Sequence, residues 1–206
     1  IYVAADVYKL PFKPGVFDAA TMIRVIHHMA DSPSALKEIT TTLQPGATFI
    51  LEFANKLNLK AIARYLLGRQ DWSPFTPEPV EFVELNFDFH PKTIRQWLKE
   101  LGYEIKRQLT VSHFRIGFLK RLIPASILAF FDSLASLTGG LWQLSPSVFV
   151  KAVLPGSAPT QTPDDIFCCP ISKQDLHAEG NLLVSEDGKY KWGKKNGIYN
   201  FKDPVR

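Results

Sequence analysis

The chain has 206 residues, 46% apolar and 21% charged, ordinary proportions for a soluble globular protein with one substantial domain and a smaller one. Its formal charge of +4 comes from 24 Lys and Arg against 20 Asp and Glu without a basic run, which argues against a nucleic-acid footprint. The two cysteines, Cys168 and Cys169, are adjacent, which excludes a disulfide framework and fits a reducing, cytoplasmic setting.

Residues 1–5 read as a strand running toward Asp6. Because Ile1 is not an initiator methionine, the chain is expected to begin in mid-domain. Asp6 precedes a loop closed by Leu10, Pro11 and Phe12. A carboxylate there can accept from an exocyclic amine while a backbone amide beside it bonds a ring nitrogen, the pair adenine recognition requires. Capping of a local turn is the alternative role for Asp6.

Residues 16–23 form a compact, largely apolar run, which predicts a strand buried on both faces in mid-sheet. Asp31 and Ser32 suit a helix N-cap and Pro33 the first helical position, and Leu36, Ile39 and Leu43 recur at helical spacing. Pro45 and Gly46 should end that helix, and residues 47–53 return as a strand. The unit predicts a right-handed parallel crossover, with Asp6, residues 23–28 and residues 52–55 along one sheet edge, where such sheets bind ligands. On that edge Arg24 suits either an anionic ligand or a surface ion pair. His28 suits either a general base or a structural histidine bonding a loop carbonyl, and the His27–His28 pair lacks a third metal ligand at a sensible spacing.

Residues 55–67 predict a helix with Leu59, Ile62 and Leu66 on one face and Lys56, Lys60 and Arg64 on the other, stopped by Gly68. Residues 71–89 interleave prolines with aromatics, so no regular element is expected; they read as a lid or substrate-pocket wall, or as a loop packed on the core. Residues 91–101 predict a helix with Ile94, Trp97, Leu98 and Leu101 inward, and residues 103–111 an edge strand. One or two helices follow in 119–137, and residues 142–154 form the closing antiparallel strand. The helix in 118–131 is expected to pack on the fold rather than serve as an amphipathic element for membranes or quinones. The apolar run 118–141 is broken by Lys120, Arg121, Pro124 and Asp132, so it predicts no membrane span, and no signal peptide is expected. Residues 155–165 have linker composition, and short strands after them are expected to be held by Phe167, Leu183, Tyr190, Trp192, Ile198 and Phe201.

The order Asp, Leu-Pro-Phe, Phe-Asp, a His pair, a helix and Leu-x-Pro-Gly resembles the second half of a class I S-adenosylmethionine-dependent methyltransferase of the small-molecule type that includes quinone-biosynthesis enzymes. The resemblance covers residues 1–154. It implies an α/β fold, a partial Rossmann-like sheet with an antiparallel closing strand, plus a small β-rich carboxyl-terminal domain. It implies S-adenosylmethionine as cofactor, with Asp6 reading adenine beside the Val7 amide, Ile23, Arg24 and Val25 lining the methionine end, and His28 at the family's usual histidine position. The acceptor would be a small molecule, with alignment of the two reactants supplying most of the acceleration. The glycine-rich turn and the ribose-binding acid of such enzymes are absent from this sequence, so the isolated chain is expected to bind cofactor weakly and turn over poorly. Homo-oligomerisation or a missing amino-terminal segment stays open.

Around Cys169, Pro170, Leu176, Tyr190 and the Asn-Gly-Ile-Tyr run, the chain resembles the zinc-ribbon-like activator subunit of tRNA methyltransferases. Ser172 replaces the second cysteine and residues 185–188 have none, so a metal-free version is expected. Domain bounds of 1–154, 155–164 for the linker and 165–206 follow. The rival reading is a non-catalytic methyltransferase-like scaffold binding another protein, toward which Ala47, in place of a second family glycine, and the lost cysteines lean.

Overall fold

The computed structural model describes residues 1–114, 117–157 and 165–205. In chain order they form β1 (Tyr2–Ala4), β2 (Phe17–Met22), a 3-10 turn (Ile26–His28), α1 (Ser32–Thr42), β3 (Leu43–Ala54), α2 (Leu59–Leu66), β4 (Val80–Val83), β5 (Asn86–Asp88), α3 (Pro91–Glu100) and β6 (Glu104–Val111). Then come α4 (Gly117–Leu122), α5 (Ala125–Ser136), a 3-10 turn (Leu137–Gly140), β7 (Ser147–Val153), β8 (Leu176–Glu179), β9 (Leu182–Ser185), β10 (Lys191–Lys195) and β11 (Ile198–Asn200). The fold is α/β, with a four-stranded sheet β2-β3-β7-β6, a five-stranded sheet β1-β11-β10-β9-β8 and the β4-β5 hairpin. Contacts divide the chain into two compact units: Ile1–Asp18, Pro33–Ala47 and Gly156–Arg206 in the first, and Ala19–Ser32 and Thr48–Pro155 in the second.

In the second unit, β7 pairs antiparallel with both β3 and β6. The period-2 alternation of strands puts Phe49, Leu51 and Phe53 on one face opposite Ala152, Val150 and Val148, and all six are essentially inaccessible. In α3, Pro91 occupies the first turn, where its missing N–H costs nothing, and His90 accepts from the Lys92 amide at 3.1 Å. Of its expected inward positions, Ile94 and Leu98 are fully buried while Trp97 and Leu101 are partly so.

In the first unit, β8 to β11 form an antiparallel meander around Phe167, Cys169, Leu176, Trp192 and Phe201. Tyr190 and Leu183 pack on this cluster as expected, but Ile198 is 42% exposed. The loop of Leu10 to Lys13 is stitched to the carboxyl-terminal segment: the Cys168 amide donates to the Pro11 carbonyl, Phe12 stacks on Phe167 at 5.8 Å, and Lys13 pairs with Asp165 and Asp175.

Three expectations are corrected. Strand β1 pairs in parallel with β11, so it belongs to the carboxyl-terminal sheet; a three-residue strand brings little apolar surface, and its backbone completes an otherwise open edge of the meander. Strand β2 lies at the edge of its sheet and is largely exposed rather than buried mid-sheet. Residues 80–88 form a hairpin, because the prolines of the 71–89 segment stop at Pro79 and leave the following N–H groups free to pair. Helix α5 packs on β6 and the residues after it, where Thr110 donates to the Ala135 carbonyl and Asp132 accepts from the Ser112 and His113 amides, although none of its residues is fully buried. Of the predicted linker, residues 158–164 lie outside the described residues.

Gly139 is buried, and a Cβ there would stand 2.6 Å from the Gln108 carbonyl oxygen and 2.9 Å from Leu109 Cα, whereas one at Gly140 would meet nothing within 4 Å. Gly139→Ala is therefore expected to lower stability by about 1–3 kcal/mol, and Gly140→Ala to change it by less than about 1 kcal/mol. Urea denaturation of the two variants checks this.

Candidate functional site

Strand β2 ends at Met22, and the chain turns sharply through Ile23, Arg24 and Val25 into the 3-10 turn. Arg24 has a φ of 57°, an unusual left-handed conformation for a side chain of its size. Its amide donates to Oε2 of Glu52 at 2.7 Å, and the other oxygen of Glu52 accepts from the Ser147 hydroxyl. Glu52 is only 7% exposed, so one buried carboxylate ties the exit of β2 to β3 and to the start of β7. The turn leaves Ile23 47% and Val25 42% exposed, two apolar side chains held outward next to a fixed backbone. Among the described residues the Arg24 guanidinium makes no ion pair.

His28 follows on the same loop, exposed, with Nδ1 at 3.0 Å from the Leu85 carbonyl. A carbonyl only accepts, so in the neutral ring the proton lies on Nδ1 and the lone pair on Nε2. The β4-β5 hairpin thus sets the tautomer of His28 and leaves Nε2 able to take a proton. His27 stacks beside it at 4.2 Å, and among the described residues its Nδ1 is buried without a hydrogen-bond partner. Burial, helped by the His28 charge, lowers the pKa of His27 and favours the neutral ring.

Asp6 and Val7 belong to the first unit, and β1, the strand before them, pairs in the five-stranded sheet, so they do not share the expected sheet edge with residues 23–28 and 52–55. Asp6 is exposed, and its Oδ1 accepts from the Tyr8 amide at 3.0 Å, so the carboxylate does cap its own turn. One oxygen suffices for that, and a carboxylate has two.

Two features escaped the sequence. Lys56, at 2% exposure, donates to the Glu78 carbonyl at 2.7 Å and to Thr76 Oγ1 at 3.1 Å; burial lowers its pKa, opposed by the charges of Glu78 and Asp88. Burial also raises Asp88 from its ordinary 3.8 to about 6, with Lys56 pulling the other way. Asp88 lines a cavity of about 290 Å³ together with Asn58, Lys60, Arg64, Gln70 and Trp72. A carboxyl titrating near neutrality beside a cavity is a candidate acid or base. In sequence, the only signal was a charged residue, Asp88, between Phe87 and Phe89.

The second feature is a cavity of about 370 Å³ lined by Phe114, Ile123, Leu128 and Asp132 among others. Asp132 accepts from the ring of His113 at 2.7 Å and from the amides of Ser112 and His113. Burial works to raise its pKa, but these hydrogen bonds outweigh it and hold the carboxyl below its ordinary value. Among the described residues, no group of three or more His, Cys, Asp or Glu could hold a metal ion.

Two outcomes follow from this geometry. Glu52→Ala, which strands the Arg24 amide and the Ser147 hydroxyl, should cost about 2–3 kcal/mol, and amide exchange should accelerate at Arg24 while α3 stays protected. For Asp88 the folded pKa is raised, so the native state binds its proton more tightly and stability falls as pH rises from 3.8 toward about 6. Asp88→Asn should therefore melt with the parent protein near the lower end of that window and above it at neutral pH, as read by thermal scans across pH.

Residues 1–51 match the model of the methyltransferase domain family. A 2-phytyl-1,4-naphtoquinone methyltransferase from Nostoc punctiforme is 31% identical over 106 residues, covering 40% of this chain and 46% of the relative. The chain thus spans less than half the length of that relative. Among solved structures, an S-adenosylmethionine-dependent methyltransferase from Thermotoga maritima aligns with a TM-score of 0.44 at 18% identity, over 71% of this chain and 60% of that one. Magnesium protoporphyrin IX methyltransferase from Synechocystis, solved with bound S-adenosylhomocysteine, aligns with a TM-score of 0.41 at 16% identity, over 72% and 48%. Over residues 1–51, then, this chain is similar to the methyltransferase-domain family.

Proposed function

We propose that this chain is part of an S-adenosylmethionine-dependent methyltransferase acting on a small-molecule acceptor. The observation that carries the reading is the methyltransferase-domain match, which takes in the Asp6 loop, the β2 exit and β3 as far as Leu51. The Nostoc relative supports an aromatic acceptor of the naphthoquinone kind as the first class to try.

Each segment has a role in this reading that its own chemistry suits. Asp6, with a second oxygen beyond its own turn, and the Val7 amide would receive the adenine edge. Ile23 and Val25, held outward by the turn that Glu52 fastens, would pack on the methionine portion, with Arg24 available to its carboxylate. When bound, the cofactor supplies an electron-poor methyl carbon for in-line attack. The chain's own contribution is to orient the acceptor and to take up its proton, which Nε2 of His28 can do because Nδ1–H is committed to Leu85.

Photolabelling with radioactive S-adenosylmethionine, followed by peptide mapping, tests the cofactor assignment. Label is expected in peptides containing Asp6 or residues 23–25, competed by S-adenosylhomocysteine and reduced about tenfold by Asp6→Ala, the loss of one charge-assisted hydrogen bond. Label that the competitor does not displace would overturn it. In methyl-transfer assays with a reduced naphthoquinone, His28→Ala should lower kcat by about 10²-fold or more if Nε2 is the base. An unchanged kcat would leave His28 a structural role only.

A further inference from the structure

We infer that α2 and the α4–α5 region together form a surface that docks on an anionic lipid bilayer. In α4 and α5, Phe118, Leu122, Phe130 and Phe131 are each more than half exposed, and beyond them Leu137 and Trp142 are 61% and 55% exposed. On α2, Leu59 and Leu66 are 63% and 73% exposed. These are not scattered single residues. Leu59, Lys60 and Trp142 line one cavity together with His113, and the Leu59 amide donates to the Leu144 carbonyl at 3.0 Å. The neighbours of His113 on either side, Ser112 and Phe114, line the cavity under α5. Exposed apolar side chains of α2 and Trp142 thus meet at one cavity, those of α4 and α5 belong to the same unit, and exposed apolar surface in this amount marks an interaction face.

Charge selects the occupant. Exposed Lys60, Arg64 and Arg69 flank the apolar side chains of α2, and exposed Arg121 closes α4. Across residues 56–69 and 113–142 the only acid is Asp132, and its carboxylate is taken up by His113 and two backbone amides. Apart from Asp88, half-buried in the cavity it shares with Lys60 and Arg64, these stretches present cations without a further acid of their own where the apolar surface is open. Aromatic and leucine side chains beside Lys and Arg suit the headgroup boundary of an anionic leaflet, where the rings enter the acyl region and the cations meet lipid phosphates. Among the described residues no helix is long and apolar enough to cross a membrane, so the helices would lie in the interface.

Flotation of the full chain with vesicles tests this, comparing phosphatidylcholine mixed with phosphatidylglycerol against phosphatidylcholine alone. Binding is expected to the mixed vesicles, weakening as salt rises, with a blue shift of fluorescence that disappears in Trp142→Phe. The double variant Phe130→Ser/Phe131→Ser replaces exposed side chains and should keep its circular dichroism while its partitioning falls about tenfold or more. Arg64→Glu/Arg121→Glu should likewise fold and lose both binding and its salt dependence. Failure of the parent chain to float, or flotation that neither variant weakens, overturns the proposal. So does a concentration-dependent dimer that the serine variant dissolves, in a chain that does not float: the face would then be an interface between copies.

Discussion

A single buried carboxylate organises the second unit. Glu52 accepts from the Arg24 amide with one oxygen and from the Ser147 hydroxyl with the other, so the ends of β2, β3 and β7 share one polar anchor in an apolar sheet. A carboxyl group is stable at 7% exposure only when its oxygens are satisfied, and the backbone conforms to that demand. Arg24 is held in a left-handed conformation it would not choose by itself, and that turn in turn presents Ile23 and Val25 outward. The local strain and the exposed apolar residues are two consequences of one electrostatic requirement.

The same logic recurs where the chain leaves β3. Asn55 is buried, and its amide donates to the carbonyls of Gln143 and Ser145, while the Leu57 amide donates to its side-chain oxygen. Next to it, Lys56 is buried among Thr76 and Glu78, and Asp88 is pushed toward neutrality. Backbone that departs from the sheet must satisfy its polar groups elsewhere, so buried amides and charges gather at strand exits. Such exits are also where α/β sheets hold ligands, which is why structural anchors and candidate catalytic groups stand side by side here.

The unit containing Trp192 solves a different problem. A short meander cannot bury enough apolar area by itself, and Cys168 and Cys169 are both free, so no disulfide staples it. It is instead fastened by sequence-distant residues: β1 adds a strand, Phe12 adds a stacked ring, and Lys173 reaches Glu38 at 2.7 Å and the Leu10 carbonyl at 3.1 Å. The loop of Leu10 to Phe12, read first as a motif beside Asp6, is therefore also part of that core.

Local chemistry was legible in the chain itself. Pro91 with the spacing of Ile94 and Leu98 defined α3, the N-cap signals near Ser32 defined α1, and the apolar run ending at Phe53 defined β3, because helix starts and side-chain periodicity depend on neighbours in sequence. His28 was singled out, and its bond to a loop carbonyl was one of the two roles weighed for it. Tertiary structure alone decided which sheet took β1, that β2 lies at an edge, that α5 buries no residue fully, that Glu52 fastens Arg24 and that Asp88 titrates near neutrality. Strand pairing, desolvation and exposure are properties of partners far apart in the chain. An apolar run reads the same whether it will meet a second strand, a core or open solvent.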